Sequence, residues 1–215
     1  MLIACWSSKG GSGTTVVAAS LALLLAPRDP LGALLVDVAG DAPAALGLAE
    51  PDGPGVAGWL AAGPTVPADA LARLEVPGAA GLAILPRGSG ALREERADVL
   101  ASLLQADARP VVVDCGPATD GVALTLAAGA TRSILVTRPC FLALRRALAC
   151  PLRPSEVVLL SEPGRSLGRA DVEDCLGVPV VAEVAVDPAV ARAVDAGLLA
   201  ARLPRRLARE LGRAA

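Results

Sequence analysis

The 215-residue sequence has no histidine, tyrosine or asparagine, a single phenylalanine, and one lysine, Lys9, among twenty basic residues. Without imidazole, Ser-His and Cys-His nucleophile chemistry is excluded, as are zinc sites that need histidine. Five cysteines, Cys5, Cys115, Cys140, Cys150 and Cys175, are dispersed with no Cys-x-x-Cys pair. That spacing predicts reduced, mostly buried small hydrophobes rather than a disulfide framework. Long apolar runs are also missing: the longest lies in Val16–Ala26, about half a bilayer span. The N-terminus lacks the basic segment and small-residue cleavage site of a secretory signal, so a cytoplasmic location is expected. A formal net charge of −2 argues against a generally basic surface, and DNA is not an expected partner.

Hydrophobic residues make up 53% of the chain, which excludes disorder. The length suits one domain, 1–215, that buries roughly 70% of its unfolded surface. Short apolar runs alternate with helix-like stretches. Leu2–Trp6, Ala33–Val38, Leu82–Leu85, Val111–Asp114, Ser133–Thr137, Val157–Leu160 and Val180–Val184 read as strands covered on both faces. Helices are predicted at Thr15–Leu25, Leu92–Ala106, Val122–Ala128, Phe141–Ala149 and Arg169–Leu176. This rhythm predicts an α/β fold, a doubly wound, mostly parallel sheet with helices on both faces.

Three stretches stand apart. Glu50–Pro67 is rich in Gly and Pro and reads as a surface excursion wrapping a short helix around Trp59. "ALREERADVL" reads as a solvated helix face. Pro188–Ala215 reads as a helical tail broken at Pro204, with Leu203, Leu207 and Leu211 on one side. Docking of that tail on the domain is the preferred reading. Peripheral contact with the inner face of the cell membrane is the alternative.

"SSKGGSGTT", Ser7–Thr15, follows the first strand and opens the first helix. A phosphate cradle needs glycines where backbone N–H groups converge on an anion without a Cβ in the way, then a helix whose positive end faces it. Gly10, Gly11 and Gly13 meet that need, and Thr15 offers a hydroxyl for Mg²⁺. Ser12 and Thr14 complete the loop. Arg138 follows a strand end, where ligands gather in open α/β sheets, and is a candidate for the base or a phosphate.

"KGGSGTT" resembles the deviant Walker A box of the ParA/MinD ATPases, a SIMIBI-type P-loop family whose early signature lysine corresponds to Lys9. "LLVDVAGDAPAALGL", "PVVVDCGP", "SILVTRPCFLALRRA" and "LGVPVVAEVAVDPAVARAVDAG" match later family segments in order, so the resemblance spans nearly the whole chain. It implies ATP and Mg²⁺ as cofactors. Thr15, Asp37 and Asp114 would lie about the metal, and Lys9 would reach the partner's phosphates across a nucleotide-dependent homodimer. Lys9, Asp37 and Asp41 are the candidates for the chemical step.

Two departures separate binding from hydrolysis. The loop lysine is Thr14, and the family's Asp-x-Asp after strand two reads Asp37-Val38-Ala39, with Asp41 two residues further on. One charge-assisted hydrogen bond is worth about 1.5–3 kcal/mol, so its loss weakens binding roughly ten- to a hundredfold. A cation aimed at the transferring phosphoryl is worth about 10³–10⁵ in rate. Retained binding with slow hydrolysis is expected. The family's adenine-reading asparagine is also absent, Ser161-Glu162-Pro163 standing in its place, which leaves GTP or no base preference open.

Loss of the loop lysine with retention of Lys9 resembles the TadZ/CpaE branch, which implies a role in localising a Tad-type pilus or secretion machine. Protein partners of such a pilus, secretion or division machine are therefore expected. The competing readings are a nucleotide-independent scaffold, a ParA-like partitioning ATPase and, last, a small-molecule ligase.

Overall fold

β1 (Leu2–Ser7) sets the architecture by the directions of its side chains. Leu2, Ala4 and Trp6 enter one hydrophobic core, and Ile3 and Cys5 the other, because successive residues of a strand face opposite ways. A strand buried on both faces needs a helical layer on each side. The computed structural model describes residues 1–63, 66–79, 81–118 and 121–215.

β2 (Ala33–Asp37), β3 (Val76–Pro77), β4 (Leu82–Leu85), β5 (Val111–Pro117), β6 (Arg132–Thr137), β7 (Glu156–Ser161) and β8 (Val180–Ala185) complete the sheet. Its order is β3-β4-β2-β5-β1-β6-β7-β8. β3 is antiparallel to β4, and the other pairings are parallel. α1 (Thr14–Leu25), α2 (Ala42–Leu46) and α9 (Arg205–Leu211) contribute to one core. α3 (Gly55–Ala61), α4 (Ala97–Ala106), α5 (Gly121–Gly129), α6 (Phe141–Ala149) and α7 (Arg169–Leu176) contribute to the other. α8 (Pro188–Asp195) is capped by Asp187, whose carboxylate accepts from the Ala189 N–H at 2.8 Å. The predicted doubly wound α/β class is the one observed.

Differences from the sequence reading are local. α4 starts at Ala97 rather than Leu92, so "ALREER" is not helical. Arg96, instead of solvating a helix face, stacks its guanidinium 3.7 Å from the centre of the Trp59 ring. It also donates to the Trp59 and Ala62 carbonyls at 2.8 and 3.1 Å. The helix around Trp59 is present as α3, while Pro64 and Thr65 of the same interval lie outside the described residues. The tail is broken over a longer stretch than expected, from Ala196 to Pro204.

Leu207 and Leu211 are buried against the core on the α1 side, which matches the docked reading of the tail. Those leucines are therefore not available to a membrane surface, and no described helix is long and apolar enough to cross one. Cys5, Cys115 and Cys150 are buried, Cys140 is half-buried and Cys175 is exposed, all as free thiols. Burial pushes the Cys5 and Cys115 thiols up, leaving them inert.

Candidate functional site

The loop between β1 and α1 is held by its own hydroxyls. Ser7 Oγ and Ser12 Oγ both donate to the Lys9 carbonyl, at 2.9 and 3.0 Å, and Ser8 Oγ donates to the Ala143 carbonyl of α6 at 3.1 Å. Gly11 and Gly13 adopt φ of 73° and 78°, which only glycine takes at little cost. A Cβ at Gly13 would also lie 2.8 Å from Leu160 Cδ1. The first α1 bond runs from the Val17 N–H to the Gly13 carbonyl at 3.0 Å. Among the described residues the N–H groups of Gly10, Gly11, Ser12 and Gly13 make no hydrogen bond. Four unbonded donors thus lie beside a helix N-terminus, where they suit an anion.

Lys9 is half-buried, and among the described residues its ammonium makes no hydrogen bond or ion pair. Gly10 and Gly11 are exposed, and a Cβ at either would meet nothing within 4 Å. Thr14 is only 6% exposed at the start of α1, and Thr15 is half-buried beside it.

Two buried carboxylates stand side by side as register partners, Asp37 closing β2 and Asp114 midway along β5. Asp37 Oδ1 accepts from the Gly40 N–H at 2.6 Å and Oδ2 from the Ala42 N–H at 3.1 Å, so both oxygens hold the turn into α2. Burial pushes this carboxyl up, while those two amides pull it down. Asp114 Oδ1 accepts from the Gly116 N–H at 3.1 Å, and buried Oδ2 has no hydrogen-bond partner among the described residues. The Thr15 hydroxyl is close enough to favour the Asp114 carboxylate without reaching hydrogen-bonding geometry. Burial prevails and, helped by the Asp37 charge, pushes the carboxyl up to about 6.

Asp41 is exposed at the start of α2, and its side chain makes no hydrogen bond to the helix end. Its charge reaches both buried carboxyls and raises them. The loop, Thr15, Asp37, Asp114 and Asp41 therefore share one end of the sheet. No cluster of three Asp, Glu, His or Cys side chains forms a metal cage among the described residues. The donor set suits Mg²⁺ better than zinc: oxygen ligands, with one buried carboxylate oxygen unpartnered and the remaining ligands left to water and phosphate.

Arg138, at the end of β6, lies on the other flank of the loop. It borders an apolar cavity of about 240 Å³ lined also by Gly13, Val17, Leu160, Val186 and Val190. Its Nη1 donates to Glu162 Oε1 at 2.5 Å, while its buried Nε has no partner among the described residues.

Sequence reasoning missed four supporting groups. Ser7 and Ser8 brace the loop, Leu160 lies against Gly13, and Arg87 donates from Nη1 to the Val38 carbonyl at 2.7 Å. The last three act across long chain separations, so no local pattern marks them.

The same fold occurs in solved ParA and MinD structures. A ParA family ATPase from Chlorobium tepidum TLS superposes with a TM-score of 0.78 at 19% identity, over 98% of this chain and 95% of that one. The septum site-determining protein MinD from Pyrococcus horikoshii OT3, complexed with Mg-ADP, gives 0.79 at 21% identity, over 99% and 93%. A single-substitution variant of Cyanothece McdA in complex with ATP gives 0.71 at 16%, over 98% and 93%. No protein-family model matches the chain, and no curated protein matches its sequence. At these identities the likeness defines a class of fold, the P-loop architecture of ParA/MinD ATPases.

Proposed function

We propose that this chain is a nucleotide-operated switch of the ParA/MinD kind. It holds a magnesium-bound nucleoside triphosphate in the Ser7–Thr15 loop, pairs with a second copy across that loop, and so localises or assembles a larger machine. The single observation that carries this reading is the set of unbonded N–H groups at residues 10–13 beside the α1 N-terminus. ATP is the nucleotide that the resemblance to the family implies, although the polyphosphate part of the site is indifferent to the base. When bound, Mg²⁺ would neutralise phosphate charge, and Thr15, Asp37 and Asp114 are the residues that would hold it.

Binding and turnover separate here. Backbone amides grip the anion, but Thr14 brings no cation to the phosphoryl group and Ala39 no carboxylate to an attacking water. Asp41 is the one exposed acid on that turn available for the second task. Hydrolysis is therefore slow. Lys9, with no partner among the described residues, is the cation left for phosphates of a facing subunit. The finer role, positioning a Tad-type pilus or secretion system, is supported by one pattern: the loop lysine is lost and Lys9 is retained.

Light scattering on a sizing column tests the switch, run with no nucleotide, with Mg·ADP, and with magnesium and non-hydrolysable ATP or GTP analogues. The expected result is a doubling of mass with a triphosphate analogue that Lys9→Ala abolishes. An unchanged mass in every condition contradicts it. A second reading, a scaffold that no longer uses nucleotide, is favoured by the neutral, buried Thr14 at the loop-lysine position. Calorimetry with no binding at millimolar nucleotide would select that reading.

A further inference from the structure

We propose that the groove between α6 and α7 is a second self-pairing surface, on which two copies of this chain lay α6 of each against α7 of the other. The proposal does not depend on the nucleotide reading. It starts from a helix that is apolar on more than its buried side. Ala143, Leu144 and Ala147 of α6 are buried in the domain, yet Phe141, Leu142 and Leu148 are 75%, 50% and 48% exposed. They are three of the eight large hydrophobics exposed among the described residues, and Phe141 is the chain's only phenylalanine. Apolar surface gathered in this way on one nine-residue helix marks a face that another surface covers.

Beside it lies a groove of about 510 Å³, well above the ~150 Å³ that admits a benzene ring. Its two walls carry matching groups in the same order. Phe141, Arg145 and Leu148 follow one another along the α6 wall, and Leu167, Asp171 and Cys175 along the α7 wall. Each wall has apolar or weakly polar groups at its ends and one charge between them, and the two charges are opposite in sign. α6 and α7 follow the adjacent parallel strands β6 and β7, so they run in the same direction.

That pattern selects the partner and the symmetry. A two-fold axis along the groove preserves the helix direction and brings Phe141 of one copy to Leu167 of the other, Arg145 to Asp171 and Leu148 to Cys175. An axis across the groove would stack α6 on α6 and set Arg145 against Arg145. The charges are available for pairing: Arg145 makes no hydrogen bond or ion pair among the described residues, and Asp171 accepts only from the Gly168 N–H, at 2.7 Å. Ser8 of the phosphate loop lines a separate cleft with Arg146 and Cys150, so this groove is distinct from the loop. A chain with one contact set by nucleotide and another that is permanent would join two neighbours, which suits the assembling role proposed above.

The test is sedimentation velocity of the full chain in EDTA without nucleotide, over roughly 5–500 µM, a range that covers weak specific association. The mass should rise from monomer to dimer across that range. Phe141→Ala should keep the chain monomeric with an unchanged melting temperature. Arg145→Glu and Asp171→Arg, each checked as folded by circular dichroism, should raise the dimer dissociation constant at least about tenfold, because like charges then meet at both contacts. An equimolar mixture of those two variants should dimerise as the unaltered chain does, since every charge again faces its opposite. An unaltered chain that stays monomeric at the highest concentration overturns the proposal. So does a dimer that survives all three substitutions, or a mixture of the two folded charge variants that stays dissociated.

Discussion

Asp37 and Asp114 are register partners on adjacent parallel strands, both carboxylates buried and on the same side of the sheet's C-terminal end. Asp37 is stabilised by two amides of the following turn, whereas Asp114 keeps one oxygen without a partner among the described residues. Like charges on neighbouring buried positions are unfavourable unless a cation lies between them and the solvent. The pair therefore makes stability depend on magnesium and pH.

Asp114 shifts from an ordinary 3.8 to about 6 in the fold. A carboxyl raised in this way contributes stability below pH 4 that is lost as pH rises through about 6. In EDTA at pH 7.5, Asp114→Asn should be more stable than the unaltered protein by roughly 2 kcal/mol, with the gap closing near pH 4. It should also gain less from magnesium nucleotide. Denaturant midpoints at the two pH values check this, and a variant destabilised at pH 7.5 contradicts it.

Gly10 and Gly13 separate approach from packing. Gly13→Ala places a Cβ against Leu160 at a left-handed φ and should cost at least ~1–2 kcal/mol in stability. Gly10→Ala meets nothing within 4 Å and has no such φ, so its melting temperature should stay unchanged while nucleotide affinity falls. Thermal melts with parallel titrations distinguish the two effects.

Thr14→Lys restores a cation at the start of α1, next to the unbonded amides. Affinity for a magnesium triphosphate analogue should rise roughly ten- to a hundredfold. Calorimetry checks it; an unchanged dissociation constant would mean that phosphates do not reach this position.

Arg96→Ala removes the stacking on Trp59 and two hydrogen bonds that tie α3 to the start of α4. A loss of about 1–3 kcal/mol in unfolding free energy is expected, with nucleotide binding unaffected. Denaturant unfolding of the variant beside the unaltered chain measures it.

The parts of this architecture visible in the sequence are those written in short-range pattern. Val, Ile and Leu runs mark seven of the eight strands within a residue or three, and the glycines after β1 mark the loop. β3 was invisible because Val76–Pro77 is too short for periodicity, and α2 because Ala42–Leu46 spans little more than one turn around Pro43. "ALREER" has helical composition, yet the stacking of Arg96 on Trp59 fixes where α4 begins. The site's electrostatics were hidden for a similar reason. No local pattern places Asp114 beside Asp37, which only the family resemblance implied, and Arg138 meets Glu162 because β6 and β7 are neighbours.

Titration of the purified chain with magnesium and a non-hydrolysable triphosphate, alongside Gly10→Ala, is the most direct measurement of whether backbone amides alone can hold a polyphosphate here. One-to-one binding that the alanine weakens without a change in melting temperature is the expected result. No binding of either purine triphosphate at millimolar concentration would contradict it.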